Sequence, residues 1–273
     1  MDAAPVRLLC CDLDGTLVGQ PGASRRFHLA WQQIPQESRP VLVYNSCRLV
    51  DDVVRFTRNG LLPDPTYFIG GAGTQIMDSG AGRVLGEFRN HFADGWDLAR
   101  VRAVVARLPD VRPQPFEFQH EFKSSWILDD AAPGTLRDLT RNLAAHGLKV
   151  KIAYSAGRDL DILPRAATKG GAMSWLCQRL DIPLSTVVVA GDTDSDLSMF
   201  RTPGVRGIVV GNAVSELVEG TAGVDVFQSD KDFADGVLDG LVHYGIIGPQ
   251  VDSPDIEDLS KPAEDDIRQS SAG

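Results

Sequence analysis

Residues Val6–Thr16 read VRLLCCDLDGT, and the fold is decided by this stretch. Val6–Cys11 is a near-continuous apolar run too short for a helix, which reads as a strand buried on both faces, as in a parallel sheet. Val41–Ser46 (VLVYNS) and Thr186–Ala190 (TVVVA) share that pattern. Each run is followed at once by small or acidic residues: Asp12-Leu13-Asp14-Gly15-Thr16, Cys47-Arg48, and Gly191-Asp192-Thr193-Asp194. In open α/β sheets ligands sit at the carboxyl ends of the strands, so these three ends are expected to converge on one crevice.

Helical patterns fill the gaps at Ser24–Gln33, with Ser24 as N-cap, and at Asp51–Asn59, Lys169–Leu180 and Leu197–Phe200. This alternation predicts an α/β fold with a doubly wound parallel sheet. A further strand at Thr66–Ile69 runs into Gly70-Gly71-Ala72-Gly73, whose glycines permit positive φ or close approach to a neighbour. Between about Gly86 and Pro164 the texture changes to helix at Asp97–Leu108 and Gly134–His146, with strands at Ser125–Leu128, Lys149–Ala153 and Asp159–Leu163. That describes a compact α+β insert. The expected organisation is a main domain from residues 1–86 and 164–245, an insert at 87–163 and a tail at 246–273, of which Ser253–Gly273 is expected to be poorly ordered.

At 273 residues the chain is long enough for one large domain and a smaller inserted one. It carries 27 Lys and Arg against 37 Asp and Glu, net −10, and no basic run exceeds two residues, which argues against a nucleic-acid partner. An acidic protein that binds an anion needs local help, and a divalent cation held by carboxylates would provide it. Four cysteines without CxxC spacing read as reduced thiols rather than zinc ligands. No apolar stretch approaches the roughly 18 residues of a membrane span, and the opening residues are too short an apolar stretch for a signal peptide. A cytoplasmic protein without membrane partners, monomeric or weakly dimeric, is the expectation.

Asp12 and Asp14, two apart on a strand end, emerge on one face as a carboxylate pair. Like charges that close are unfavourable unless a cation or proton is shared. With Mg²⁺ bound, one carboxylate attacks phosphorus to give an aspartyl-phosphate while the other serves as general acid and base. Gly15 lets the chain turn, and Thr16 offers a hydroxyl or amide to a phosphate oxygen. A solvated acidic turn is the bland alternative. Asp192 and Asp196 follow another buried strand, and one or both, with Asp12 and the carbonyl of Asp14, suit octahedral Mg²⁺ coordination. By itself this second cluster also reads as a helix N-cap, while an EF-hand lacks its glutamate here. Ser46 ends its strand either as a cap or as a ligand of the transferring group. Lys169 opens a helix, where an ammonium adds to the positive N-terminal dipole, or is simply exposed.

In this order, CDLDGT at Cys11–Thr16, the serine of YNSCR at Ser46, Lys169 in TKGG and GDTDSD at Gly191–Asp196 resemble the four motifs of haloacid-dehalogenase-type phosphatases, over roughly residues 6–245. The segments Glu121–Asp130, Tyr154–Gly171 and Gly207–Leu217 are similar to the sucrose-phosphatase branch. The resemblance implies a core with an inserted C2-type cap that reads the sugar. It implies Asp12 as nucleophile, Asp14 as acid and base, Thr16, Ser46 and Lys169 as phosphate ligands, and Asp12, Asp14, Asp192 and Asp196 around Mg²⁺. It also implies Arg48, Lys123, Ser155, Gly157, Asp159, Asp161 and Asn212 at the substrate. Cys47 stands where the family usually has glycine, and Asp194 and Ser195 where it usually has glycine and asparagine.

The leading expectation is hydrolysis of a small sugar phosphate, a disaccharide phosphate such as sucrose 6-phosphate or mannosylfructose phosphate. A phosphosugar mutase would need a bisphosphate activator and a site closed to water. A non-catalytic sugar-phosphate sensor would not need a nucleophile beside an acid.

Overall fold

The computed structural model describes residues 4–248. In chain order its elements are β1 (Leu8–Cys11), α1 (Pro21–Gln33), β2 (Val41–Asn45), α2 (Val50–Thr57), β3 (Tyr67–Gly70), β4 (Gln75–Asp78), β5 (Arg83–Val84), α3 (Leu98–Val105), β6 (Arg112–Pro113), β7 (Ser124–Ile127) and α4 (Pro133–Ala145). There follow β8 (Val150–Ser155), β9 (Asp159–Pro164), α5 (Lys169–Arg179), β10 (Val187–Gly191), α6 (Leu197–Phe200), β11 (Arg206–Val209), α7 (Ser215–Gly220), β12 (Val226–Gln228) and α8 (Phe233–His243).

The larger sheet has the order β12-β11-β10-β1-β2-β3-β4-β5. Its strands from β12 to β3 are parallel, and β4 and β5 add an antiparallel edge. The unbroken apolar runs are explained by burial on both faces. Leu8, Cys10, Val43, Val187 and Val189 pack on one side with Met173 and Leu176 of α5. Leu9, Cys11, Leu42, Tyr44, Val188 and Ala190 pack on the other with Phe27 and Trp31 of α1 and Val237 and Leu241 of α8. Successive residues thus feed opposite layers, so both faces are apolar along most of each strand.

The second sheet, β6-β7-β9-β8, is antiparallel. Trp126, Leu160, Ile162 and Val150 on one face bury against Val101 and Val104 of α3 and Leu139 and Leu143 of α4. Phe88 and Phe92, in the 3₁₀ turns that lead into it, stack edge to face at 5.1 Å and join the core of the first sheet together with Phe122.

Ser24 is not a cap. The helix starts at Pro21, whose fixed φ and missing N–H suit a first turn. The Ser24 hydroxyl instead donates to Leu17 O (2.7 Å) and to Gln20 O (3.2 Å). Ile246 and Ile247 pack on the core, so the folded region passes residue 245. The disorder expected for Ser253–Gly273 lies outside the described residues. Among those described, no helix is long and apolar enough to cross a membrane.

Candidate active site

From β1 the chain steps outward through β2 and β3, and after the second sheet it returns to pair β10 on the other side of β1. Strand order reverses there, which opens a crevice above the carboxyl ends. In register, Cys11 lies opposite both Ala190 and Tyr44, so Asp12, Ser46 and Asp192 leave three neighbouring strands at one level.

The Lys169 ammonium, 2% exposed, donates to Asp12 Oδ1 at 2.5 Å and to Asp196 Oδ1 at 2.6 Å. Asp196, fully buried, accepts on Oδ2 from the amides of Asp192 and Thr193, each at 3.1 Å. Thr16 donates its hydroxyl to Asp192 Oδ1 at 2.8 Å. Gly15 sits at φ +90°, and a Cβ there would fall 2.1 Å from Asp192 Oδ2, so this glycine is what lets the carboxylate lie over the loop. Thr168 caps α5 by accepting from Gly171 N, which aims Lys169 from the first turn. Ser46, buried, accepts at Oγ from Arg48 N (3.1 Å), and its carbonyl accepts from Ala72 N (3.2 Å).

Asp12, Asp192 and Asp196 can each offer an oxygen within 4.8 Å of the others. Three carboxylates against one ammonium leave an excess of negative charge under burial. Burial raises Asp12 well above the carboxylate range despite Lys169, with Asp196 adding to the rise. Burial likewise raises Asp192, opposed by the Thr16 hydroxyl. Burial alone would lower Lys169, but Asp12 and Asp196 more than reverse it and hold the ammonium charged. Such an all-oxygen donor set with surplus negative charge fits a hard divalent cation. Asp196 already has both oxygens engaged, so Asp12 and Asp192 are the better placed donors.

The expected Asp12–Asp14 pair does not share a charge partner. Asp14 is exposed and is held by Arg48 through Nε (2.7 Å) and Nη2 (2.9 Å), outside the buried carboxylate group. Arg48, expected at the substrate, also reaches Asp52 (3.1 Å) and lies over the Phe56 ring. Asn212, expected there too, donates to Gly15 O (2.8 Å) and accepts from Phe233 N (2.7 Å), so its amide pins the Gly15 turn to α8. Lys123 and Asp161 form an ion pair at 3.0 Å on the face of the second sheet away from α3 and α4. Ser155, Gly157 and Asp159 lie at the hairpin tip, roughly 13 Å along the strand from Lys151. There Gly157 O accepts from Asp130 N (2.7 Å), and Asp159 accepts from Gln114 (3.0 Å).

Two contributors, Asn45 and Lys151, escaped sequence reasoning. Asn45 donates to Lys169 O (3.0 Å) and ties β2 to α5; its only signal was a polar side chain inside an apolar run. Gly73, where the sequence anticipated positive φ or close approach, sits at φ +90° with no space for a Cβ, which would lie 2.2 Å from Thr168 O. Lys151 projects from the face of the second sheet away from α3 and α4, within electrostatic reach of Lys169, and alternation along its strand was the available signal.

An open sheet with acidic strand ends gathered at its reversal point, and a second sheet inserted after β5, is the architecture of haloacid-dehalogenase-type hydrolases. The sucrose-phosphatase of Synechocystis sp., solved in complex with sucrose and phosphate, superposes with a TM-score of 0.78 at 25% identity, over 89% of this chain and 99% of that one. The model of the family Sucrose-6F-phosphate phosphohydrolase matches residues 5–245, and the chain belongs to that family of phosphatases. A mannosylfructose-phosphate phosphatase of Agrobacterium fabrum is 43% identical, over 89% of this chain and 98% of its own length. Sucrose-phosphatase 1 of Nicotiana tabacum is 29% identical, over 93% of this chain but 62% of its own length.

Proposed function

We propose that this chain is a magnesium-dependent phosphatase that hydrolyses a disaccharide phosphate through an aspartyl-phosphate on Asp12. The observation that carries this reading is Asp12 beside Lys169, Asp196 and Asp192 at the strand-order reversal. Magnesium held by Asp12 and Asp192 would balance the surplus negative charge and polarise the phosphoryl oxygens.

Lys169, fixed between two carboxylates, presents its ammonium to the phosphate and keeps Asp12 Oδ1 turned inward, which leaves Oδ2 to form the bond to phosphorus. As that bond forms, the bond from phosphorus to the sugar oxygen breaks, and Asp14 gives the leaving oxygen its proton. Asp14 then takes a proton from the water that attacks the aspartyl-phosphate, which frees phosphate and restores Asp12. Arg48 holds Asp14 at the mouth, so substrate entry has to draw the guanidinium aside before Asp14 acts. Ser46 and Thr16 flank the phosphate from the neighbouring loops. The pair Lys123–Asp161 supplies polar groups for sugar hydroxyls, whose loss would leave buried groups unpaired.

The 43% identity to the mannosylfructose-phosphate phosphatase, against 29% to the tobacco sucrose-phosphatase, puts mannosylfructose phosphate first among substrates to test. Phosphate release should be measured over a panel of mono- and disaccharide phosphates. The expected result is preference for a disaccharide phosphate, loss of turnover in excess chelator, and no turnover by a folded Asp12→Asn variant. Turnover by that variant would assign the nucleophile elsewhere.

A further inference from the structure

On β8, Val150, Ile152 and Tyr154 pack with α3 and α4, so the intervening Lys151 points from the other face of the second sheet. Its register partner Leu163 shares that face and packs into the cluster with Cys10 and Met173, beneath the catalytic crevice. Lys151 is partly buried, yet among the described residues its ammonium has neither hydrogen bond nor ion pair. By contrast Lys123, Lys149, Lys169 and Lys231 each meet a carboxylate. The groups within electrostatic reach of it are Cys47, next to Ser46, and the Lys169 ammonium. Burial pushes Lys151 below the ordinary lysine range, with Cys47 pulling up and Lys169 pushing further down. An unpaired, partly desolvated cation within electrostatic reach of another cation is unfavourable unless an anion is bound between them.

We propose that Lys151 is a second phosphate-binding cation, carried by the inserted sheet, whose ammonium contacts the substrate's phosphoryl oxygens together with Lys169. The phosphate then bridges the two sheets, so the group removed in the reaction also holds the inserted sheet down over the crevice. This rests on the reading of Asp12 as the site of phosphoryl transfer.

The test uses the full chain with Lys151→Met and Lys151→Arg. Binding of inorganic phosphate is titrated calorimetrically with magnesium present, and steady-state hydrolysis is followed with phosphate or neutral sucrose as inhibitor. Lys151→Met is expected to weaken phosphate binding by about tenfold, as for one lost charged contact. KM should rise more than kcat falls, sucrose inhibition should be unchanged, and Lys151→Arg should recover most of the loss. Unchanged phosphate binding in Lys151→Met overturns the proposal, and so does lost sucrose inhibition with phosphate binding intact, which assigns Lys151 to the sugar. Lys151→Gln replaces the Met variant if that one does not fold. If the wild-type chain releases no phosphate from any sugar phosphate, the proposed function fails, while the calorimetric titration still reads Lys151 directly.

Discussion

Replacing Asp196 with Asn tests whether the buried charge cluster is held as described. The aspartate accepts from Lys169 on one oxygen at 2.6 Å and from two amides on the other, each at 3.1 Å, with no exposure to water. An asparagine has one acceptor oxygen. If that oxygen keeps the two amides, its NH₂ faces the Lys169 ammonium, donor against donor. One bond to a charged group is then lost, at about 1.5–3 kcal/mol, and the remaining two fall to roughly half strength as the carboxylate charge disappears. Relief of the repulsion that Asp196 exerts on Asp12 and Asp192 returns part of this. A net destabilisation of about 2–3 kcal/mol follows. Urea unfolding followed by circular dichroism, in excess chelator so that metal binding does not contribute, should show the midpoint lowered by about 1 M at unchanged slope. A shift below about 0.2 M would refute the reasoning.

Thiol titration of the folded protein should find one fast-reacting cysteine, the exposed Cys47, and three more only after unfolding. Burial pushes Cys10 up to about 12 and Cys177 up to about 11, and raises Cys11 as well, so a second fast thiol would contradict this packing. In chelator, stability should fall as pH rises from the ordinary carboxylate range through the raised values of Asp12 and Asp192, because the folded state holds protons the unfolded chain has already released. The raised Lys169 contributes stability throughout that window and loses it only above the ordinary lysine range. Excess magnesium should flatten the slope; urea midpoints across a pH series measure it, and a metal-free midpoint that climbs with pH would count against the cluster.

The strands that carry the chemistry were legible because burial on both faces forces continuous apolar runs, and Asp12, Ser46, Asp192 and Asp196 stand where those runs end, while Lys169 opens a helix. The inserted sheet was legible as a change of texture, since its hairpins alternate where the core strands do not. Ser24 misled because a serine before an apolar helical pattern looks like a cap, whereas Pro21 had already set the first turn. Asp14 misled because period-two geometry describes an extended strand, and β1 ends at Cys11 with Gly15 at positive φ just beyond. Asn212 and Arg48 are polar residues near the crevice whose partners come from distant segments, Gly15 and Phe233 for one and Asp14 for the other. Such pairings depend on tertiary approach and leave no local pattern.

The chain leaving β9 reaches Lys169 through only four residues, Arg165 to Thr168, and at the last of them the backbone is wedged against Gly73. That wedge acts as a bearing. Arg165 to Thr168 meet a fixed stop there, and the cation just beyond keeps its station beside Asp12. Any side chain at position 73 would push on Thr168 and carry that displacement straight into Lys169 and its contact with Asp12.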